Sequence, residues 1–137
     1  MPSRFLDTNI LLRYFTKDDE EKAQKALALL RRIERGEERV ETSLFVIFET
    51  VFTLQRFYHV PKTRIKELLL PILLLRGLRL SSKNLCVVAL DIYVEHNVSF
   101  ADAFNTVYMK ERGATEIYSW DTDFDKIGGI SRFEPEE

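Results

Sequence analysis

Cysteine is almost missing from this chain: among 137 residues there is one, Cys86. The fold must do without disulfides, and at this length it can, because a single domain of this size buries about 68% of its unfolded surface. Cys86 lies in the apolar run "LCVVAL" and is expected to be a small core residue in a reducing compartment. Histidine is equally sparse. His59 and His96 stand outside any HExxH or Cys/His ligand spacing, which removes the common zinc sites. No P-loop and no GxSxG motif occurs, so nucleotide cradling and acyl transfer lack their parts. Long apolar runs are missing too. The longest, "LLLPILLL" at 68–75, falls far short of the roughly 20 residues of a membrane span. Arg4 and Asp7 interrupt the apolar start that a secretory signal needs. A soluble, cytoplasmic protein with no membrane partner is expected. There is no excess of basic charge either: 20 Lys and Arg face 22 Asp and Glu, a formal charge of −2. No global positive field draws in nucleic acid, so any such binding must be local.

What the chain does have is a hydrophobic period that changes repeatedly along its length. "RFL" before Asp7 is short and apolar and predicts a buried strand ending at polar Thr8 and Asn9. From Thr16 the period becomes helical. Thr16 and Asp19 read as a capping box, Ala23, Ala26, Leu27, Leu30 and Ile33 share a face, and Gly36 stops the helix. "RVETS" at 39–43 predicts a second strand, with Thr42 or Ser43 starting the helix "LFVIFETVFTLQRFY". That helix is apolar nearly all round, and its aromatics Phe45, Phe48, Phe52, Phe57 and Tyr58 are expected in the core. "KTRIKELLLPILLLR" is helical, with Pro71 predicting a kink or a break. A third strand at 77–81 precedes a helix with Leu85, Val88, Ala89, Ile92 and Tyr93 inward. Ser99 then opens a helix that stops at Gly113, and "TEIYS" and "SRF" predict a fourth strand and a short edge strand. Strands separated by helical crossovers imply a parallel sheet covered on both faces. The expectation is an α/β chain, three-layer α/β/α with a parallel four- or five-stranded sheet, forming one domain over residues 1–137.

Four carboxylates look out of place in this frame. Asp7 leaves the first strand between apolar runs, Glu49 sits inside an apolar helix, Asp102 lies in a first helical turn, and Asp121 follows the fourth strand. Each has a plain structural explanation: a strand-end turn for Asp7, an ion pair with an arginine such as Arg56 or plain exposure to water for Glu49, a capping box with Ser99 for Asp102, a turn cap for Asp121. The carboxyl ends of strands in an open α/β sheet form its functional crevice, however, and all four map there. Carboxylates gathered together cannot all ionise without a compensating cation. A hard divalent ion with oxygen ligands, Mg²⁺ or Mn²⁺, resolves the conflict and supplies the chemistry of phosphodiester hydrolysis.

"LDTN" after the first strand, Glu49 after the second, "FADAF" at a helix start and "SWDTDFDKI" after the fourth strand resemble the four acidic motifs of PIN-domain ribonucleases. Among these the chain most resembles the VapC-like toxins, over residues 4 to about 133. The resemblance implies a metal-dependent endoribonuclease with Asp7, Glu49, Asp102 and Asp121 as both catalytic and metal-holding residues. Asn9 and Ser43 resemble polar supporting positions, and Asp123 is the reserve for the fourth motif. An RNA substrate, a homodimer and a cognate antitoxin protein follow from the same resemblance. The alternative from another class is a catalytically silent PIN-like module whose acidic pocket receives a basic partner segment.

Overall fold

In the computed structural model, which describes residues 3–136, the chain folds as two compact units that meet in sequence after Lys83. The first unit contains β1 (Arg4–Phe5), α1 (Thr8–Thr16), α2 (Glu20–Glu34), β2 (Val40–Glu41), α3 (Leu44–Arg56), α4 (Lys62–Leu73) and β3 (Leu78–Arg79). Its strands are parallel in the order β1-β2-β3, with Arg4 opposite Val40 and Val40 opposite Leu78. Each ladder continues one residue further: Leu6 N–H donates to the Glu41 carbonyl at 2.7 Å and Thr42 N–H to that of Arg79 at 3.0 Å. The buried Thr42 hydroxyl also donates to the Leu6 carbonyl at 2.9 Å, which fastens the carboxyl ends of β1 and β2 to each other.

The helices follow their apolar faces, as amphipathic segments do. α2 buries Ala23, Ala26, Leu30 and Ile33, and Arg31 and Arg32 in its last turn complement the helix dipole. Its cap is Asp19, which accepts from Lys22 N–H at 3.0 Å. Thr16, the predicted cap, is instead the last residue of α1, and its hydroxyl bonds back to the Leu12 carbonyl at 2.8 Å. α1 itself is the main departure from expectation in this unit. "TNILLRYFT" is helical because Thr8 and Leu11 turn inward, and α1 packs on α2 and α3. The strand before it is shorter and less buried than predicted: Phe5 is 59% exposed, and Leu6 carries the burial.

α3 also departs from expectation. It buries Val46, Ile47, Thr50, Val51 and Leu54 on one face, while Phe45 and Phe52 are exposed on the other, and Phe57 and Tyr58 beyond its end are exposed as well. The run of aromatics is therefore a surface rather than core. α4 is a single helix, because Pro71 falls in its last turn, where the missing N–H removes one bond and nothing follows to be kinked.

The second unit contains α5 (Lys83–Glu95), α6 (Phe100–Glu111), β4 (Glu116–Tyr118), a 3-10 turn (Thr122–Lys126) and β5 (Ser131–Phe133). β4 and β5 are parallel, with Glu116 opposite Ser131 and Tyr118 opposite Phe133. Among the described residues the strands thus pair in parallel as a set of three and a set of two. α5 turns Ala89 and Tyr93 inward as predicted, but Cys86 and Leu90 complete the buried stripe, while Leu85 and Ile92 are half-buried and Val88 is exposed. Burial pushes the Cys86 thiol up to about 11, as expected of an inert core cysteine. Tyr93 meets Phe100 edge to face with centroids 5.9 Å apart, a favourable quadrupole arrangement that locks α5 onto the start of α6. Among the described residues no helix is long and apolar enough to cross a membrane.

Candidate metal centre

The second unit brings three carboxylates together. Ser99 caps α6, and its hydroxyl accepts from Asp102 N–H at 3.0 Å, the N-cap half of the predicted capping box, which fixes the backbone of Asp102. Asp121 caps the 3-10 turn, accepting from Asp123 N–H at 2.9 Å, while its own N–H donates to the Ser119 hydroxyl at 3.0 Å. These caps are the structural roles that such residues commonly play. Here they also hold three acids in register: carboxylate oxygens of Asp102, Asp121 and Asp123 all lie within 4.8 Å of one another. Asp121 and Asp123 therefore both contribute, and neither displaces the other. Asp125 is committed elsewhere, to the Arg132 guanidinium at 3.1 and 3.3 Å.

The cluster is under electrostatic stress. Burial raises the Asp102 carboxyl above its ordinary range; the neighbouring Asp121 and Asp123 charges add to the effect, and the Ser99 hydroxyl opposes it. Lys126 lies 3.0 Å from Asp123 and relieves only part of the repulsion. The donors are oxygens alone, one from each of three carboxylates, with no imidazole or thiolate among them. That set fits a hard divalent cation of the Mg²⁺ or Mn²⁺ kind and not zinc or copper.

In the first unit, Asp7 occupies the N-cap position of α1, but its carboxylate makes no capping bond; only its carbonyl is used, by Ile10 N–H at 3.2 Å. Asp7 thus opens the turn through its backbone, and its carboxylate takes no part in capping it. Glu49 is exposed, and it does not pair with Arg56, whose guanidinium lies over the Phe52 ring at 5.7 Å. Its partner is Thr8, which is 3% exposed and donates its hydroxyl to Glu49 Oε1 at 2.5 Å. Such a short bond to a charged acceptor is strong and pins the carboxylate. Thr8 had no role in the sequence reading beyond ending a strand. A Thr following the N-cap Asp would have been its signal had α1 been foreseen. Asn9 is exposed on the first turn of α1, and Ser43 caps α3, accepting from Val46 N–H at 3.4 Å.

Thr8→Val keeps the shape of Thr8 while deleting the bond to Glu49. Stability should fall by about 1 kcal/mol, because exposed Glu49 regains water, whereas turnover should fall about 10- to 100-fold. Thr8→Ser should restore turnover. Chemical denaturation and single-turnover kinetics on the same preparations separate the two effects.

The sequence matches the PIN domain over residues 4–130, and the chain belongs to the PIN domain family. PIN domains are generally nucleases, and the family has the three-layer α/β/α fold class expected from the strand and helix order. No curated protein sequence matches the chain.

Proposed function

We propose that the chain, working as a single domain over residues 1–137, is a Mg²⁺- or Mn²⁺-dependent endoribonuclease and the toxin of a type II toxin–antitoxin pair. It acts in the cytoplasm as a homodimer. The observation that carries this reading is the trio Asp102, Asp121 and Asp123 within 4.8 Å, in a chain of a nuclease family. Asp7, Glu49, Asp102 and Asp121 are the acids that carry the reaction, with Asp123 beside Asp121 and with Asn9 and Ser43 in support. Bound Mg²⁺ or Mn²⁺ supplies positive charge against the phosphate and lowers the pKa of water.

The protein's own groups do the rest. Thr8 ties up Glu49 Oε1, so Oε2 is the atom that takes a proton from the attacking water as its oxygen bonds to phosphorus. The bond from phosphorus to the leaving oxygen breaks in line, and that oxygen is protonated from solvent. Asp102 and Asp121, their backbones fixed by Ser99 and Ser119, are the residues that would hold the cation, with little reorganisation of their own.

A second reading, a silent module that binds a basic segment, draws on the exposed rings of Tyr118 and Trp120 immediately before Asp121. An arginine from an antitoxin would find there both an aromatic face and a carboxylate. Turnover discriminates between the two. Incubation with a mixed-sequence single-stranded RNA pool should give cleavage with Mg²⁺ or Mn²⁺, none in EDTA, and recovery when the ion is restored. Cleavage that persists in EDTA overturns the metal-dependent reading, and no cleavage of any RNA with either ion leaves the binding module.

A further inference from the structure

An acidic cluster in a chain of net charge −2 is a poor trap for a polyanion, since a nucleic acid gains most of its affinity from cations placed against its phosphates. The basic residues nearest the motifs do not fill that need. Arg13 is held by Asp18 at 2.9 Å, Arg56 lies over Phe52, and Lys110 donates to the Gly128 carbonyl at 2.8 Å. The cations gather elsewhere in the first unit. A cavity of about 580 Å³ is lined by Arg35, Arg39, Arg76, Arg79 and Lys83, with no acidic residue in its wall.

Its position follows from the topology. Ser3, Arg39 and Gly77 each line the cavity, and each directly precedes a strand, β1, β2 and β3 in turn. The cavity therefore reaches the amino ends of the parallel strands, and Arg79, Leu80 and Lys83 carry its wall along β3 and past its end. Two of its cations are lightly engaged at the rim: Arg35 with Glu37 at 3.4 Å and Arg79 with Glu41 at 3.5 Å, both exposed pairs worth little. Lys83 is oriented by the Leu78 carbonyl at 2.6 Å. Arg39 and Arg76 have no carboxylate partner among the described residues. The Arg76 side chain lies against Gly36, its Cδ 3.2 Å, Nε 3.7 Å and Nη1 3.9 Å from where a Cβ would stand, so the stem and one edge of the guanidinium are braced there. Five like charges around one concavity repel one another unless an anion joins them.

We propose that this cavity is a phosphate-binding exosite for the backbone of a single-stranded RNA. The inference rests on the RNA substrate proposed above. Arginine suits the role, because its planar fork grips phosphate oxygens in pairs and stays charged at any working pH. Apart from its cations the wall is Ser3, two glycines and aliphatic Val40, Leu78 and Leu80, with no aromatic ring on which a base could stack, so the exosite contributes affinity for long RNA without sequence preference.

The test measures binding of a labelled long single-stranded RNA in EDTA, where nothing is cleaved, across a salt series. Arg39→Glu combined with Arg76→Glu changes two exposed side chains and should leave the melting temperature unaltered. The salt slope should drop by about 1.4, since each single-strand phosphate contact contributes about 0.7. With Mg²⁺ or Mn²⁺ present, KM for the long RNA should rise about tenfold with kcat unchanged, while cleavage of a pentanucleotide stays the same. An unchanged slope and KM overturn the exosite. Tripolyphosphate binding that the double variant abolishes while RNA binding is untouched would assign the cavity to a small anion and also overturn it. If the slope falls but no RNA is ever cleaved, the exosite stands and the nuclease reading falls.

Discussion

Asp102→Asn is expected to reduce RNA cleavage by about 10²- to 10³-fold, the range for losing a group that positions charge at a reacting centre. It should do so without unfolding the protein. Asp102 is half-buried beside two other carboxylates, and its carboxyl is raised above its ordinary value by burial first and by Asp121 and Asp123 next. A raised folded-state pKa means that the folded protein prefers the protonated acid. The associated stability is full below the ordinary Asp value of about 3.9 and is lost as pH rises through the higher folded value. At neutral pH the ionised side chain is a net burden on the metal-free fold. Asparagine removes that burden while its amide oxygen still faces Ser99, so the metal-free variant should melt no lower than the wild type. Its stability should also depend less on pH through the acid range. Mg²⁺ or Mn²⁺ should reverse the order. An ion at 100 times its dissociation constant stabilises the wild type by about 2.7 kcal/mol, and the variant should gain far less. Melting curves with and without the ion, beside cleavage rates, check both halves. A variant that melts well below the wild type without metal would show that Asp102 serves mainly as a cap, and full activity would remove it from the centre.

The legible part of this site was chemical and the illegible part was geometric. Residue type and spacing marked Asp102 and Asp121, and the Ser99 capping box that looked like an argument against function turned out to fix the backbone that presents one of them. Asp7, Glu49 and Asp123 were also marked by type, but the partner of Glu49 was not, because it is set by tertiary packing. Thr8 reaches Glu49 across 41 positions, and no local pattern encodes such a contact. α1 was missed for a related reason. Its nine residues offer two fully buried positions, Thr8 and Leu11, too few to establish a period of 3.6, and Asn9 and Thr8 read equally well as a loop. The aromatic run of α3 misled in the other direction. Periodicity reports that a face is apolar and not whether anything covers it, so Phe45 and Phe52 looked like core and are surface. The basic cavity was invisible for the same reason as the Thr8 contact: Arg39 and Arg76 are neighbours only because β2 and β3 pair.

Gly77→Ala should be among the most damaging single-methyl additions available to this chain. An ideal Cβ at position 77 would stand 2.2 Å from the Glu38 carbonyl oxygen and 2.9 Å from that of Ile33. Both obstacles are main chain, so no side chain can swing aside to relieve them. The backbone is bound on both sides as well: Gly77 N–H donates to the Ile33 carbonyl at 3.0 Å, and its carbonyl accepts from Val40 N–H at 2.9 Å. Making room for a methyl group therefore means breaking the junction where the end of α2 meets the start of β2 and β3. Overpacking with bound backbone costs about 3 kcal/mol or more, which for a chain of this size lowers the melting temperature by about 10 °C. Two other glycines supply the scale. Gly128 has open space around its missing Cβ and no positive φ, so Gly128→Ala should be close to neutral. Gly113 also has open space but sits at φ +76, so Gly113→Ala should cost about 1 kcal/mol from conformation alone. The expected order of melting temperatures is Gly128→Ala above Gly113→Ala above Gly77→Ala. If Gly77→Ala melted with Gly128→Ala, the close approach of Glu38 and Ile33 would be wrong. The wall that brings Arg39 and Arg76 to one cavity would then be wrong with it, because Gly77 is the residue on which those two segments close.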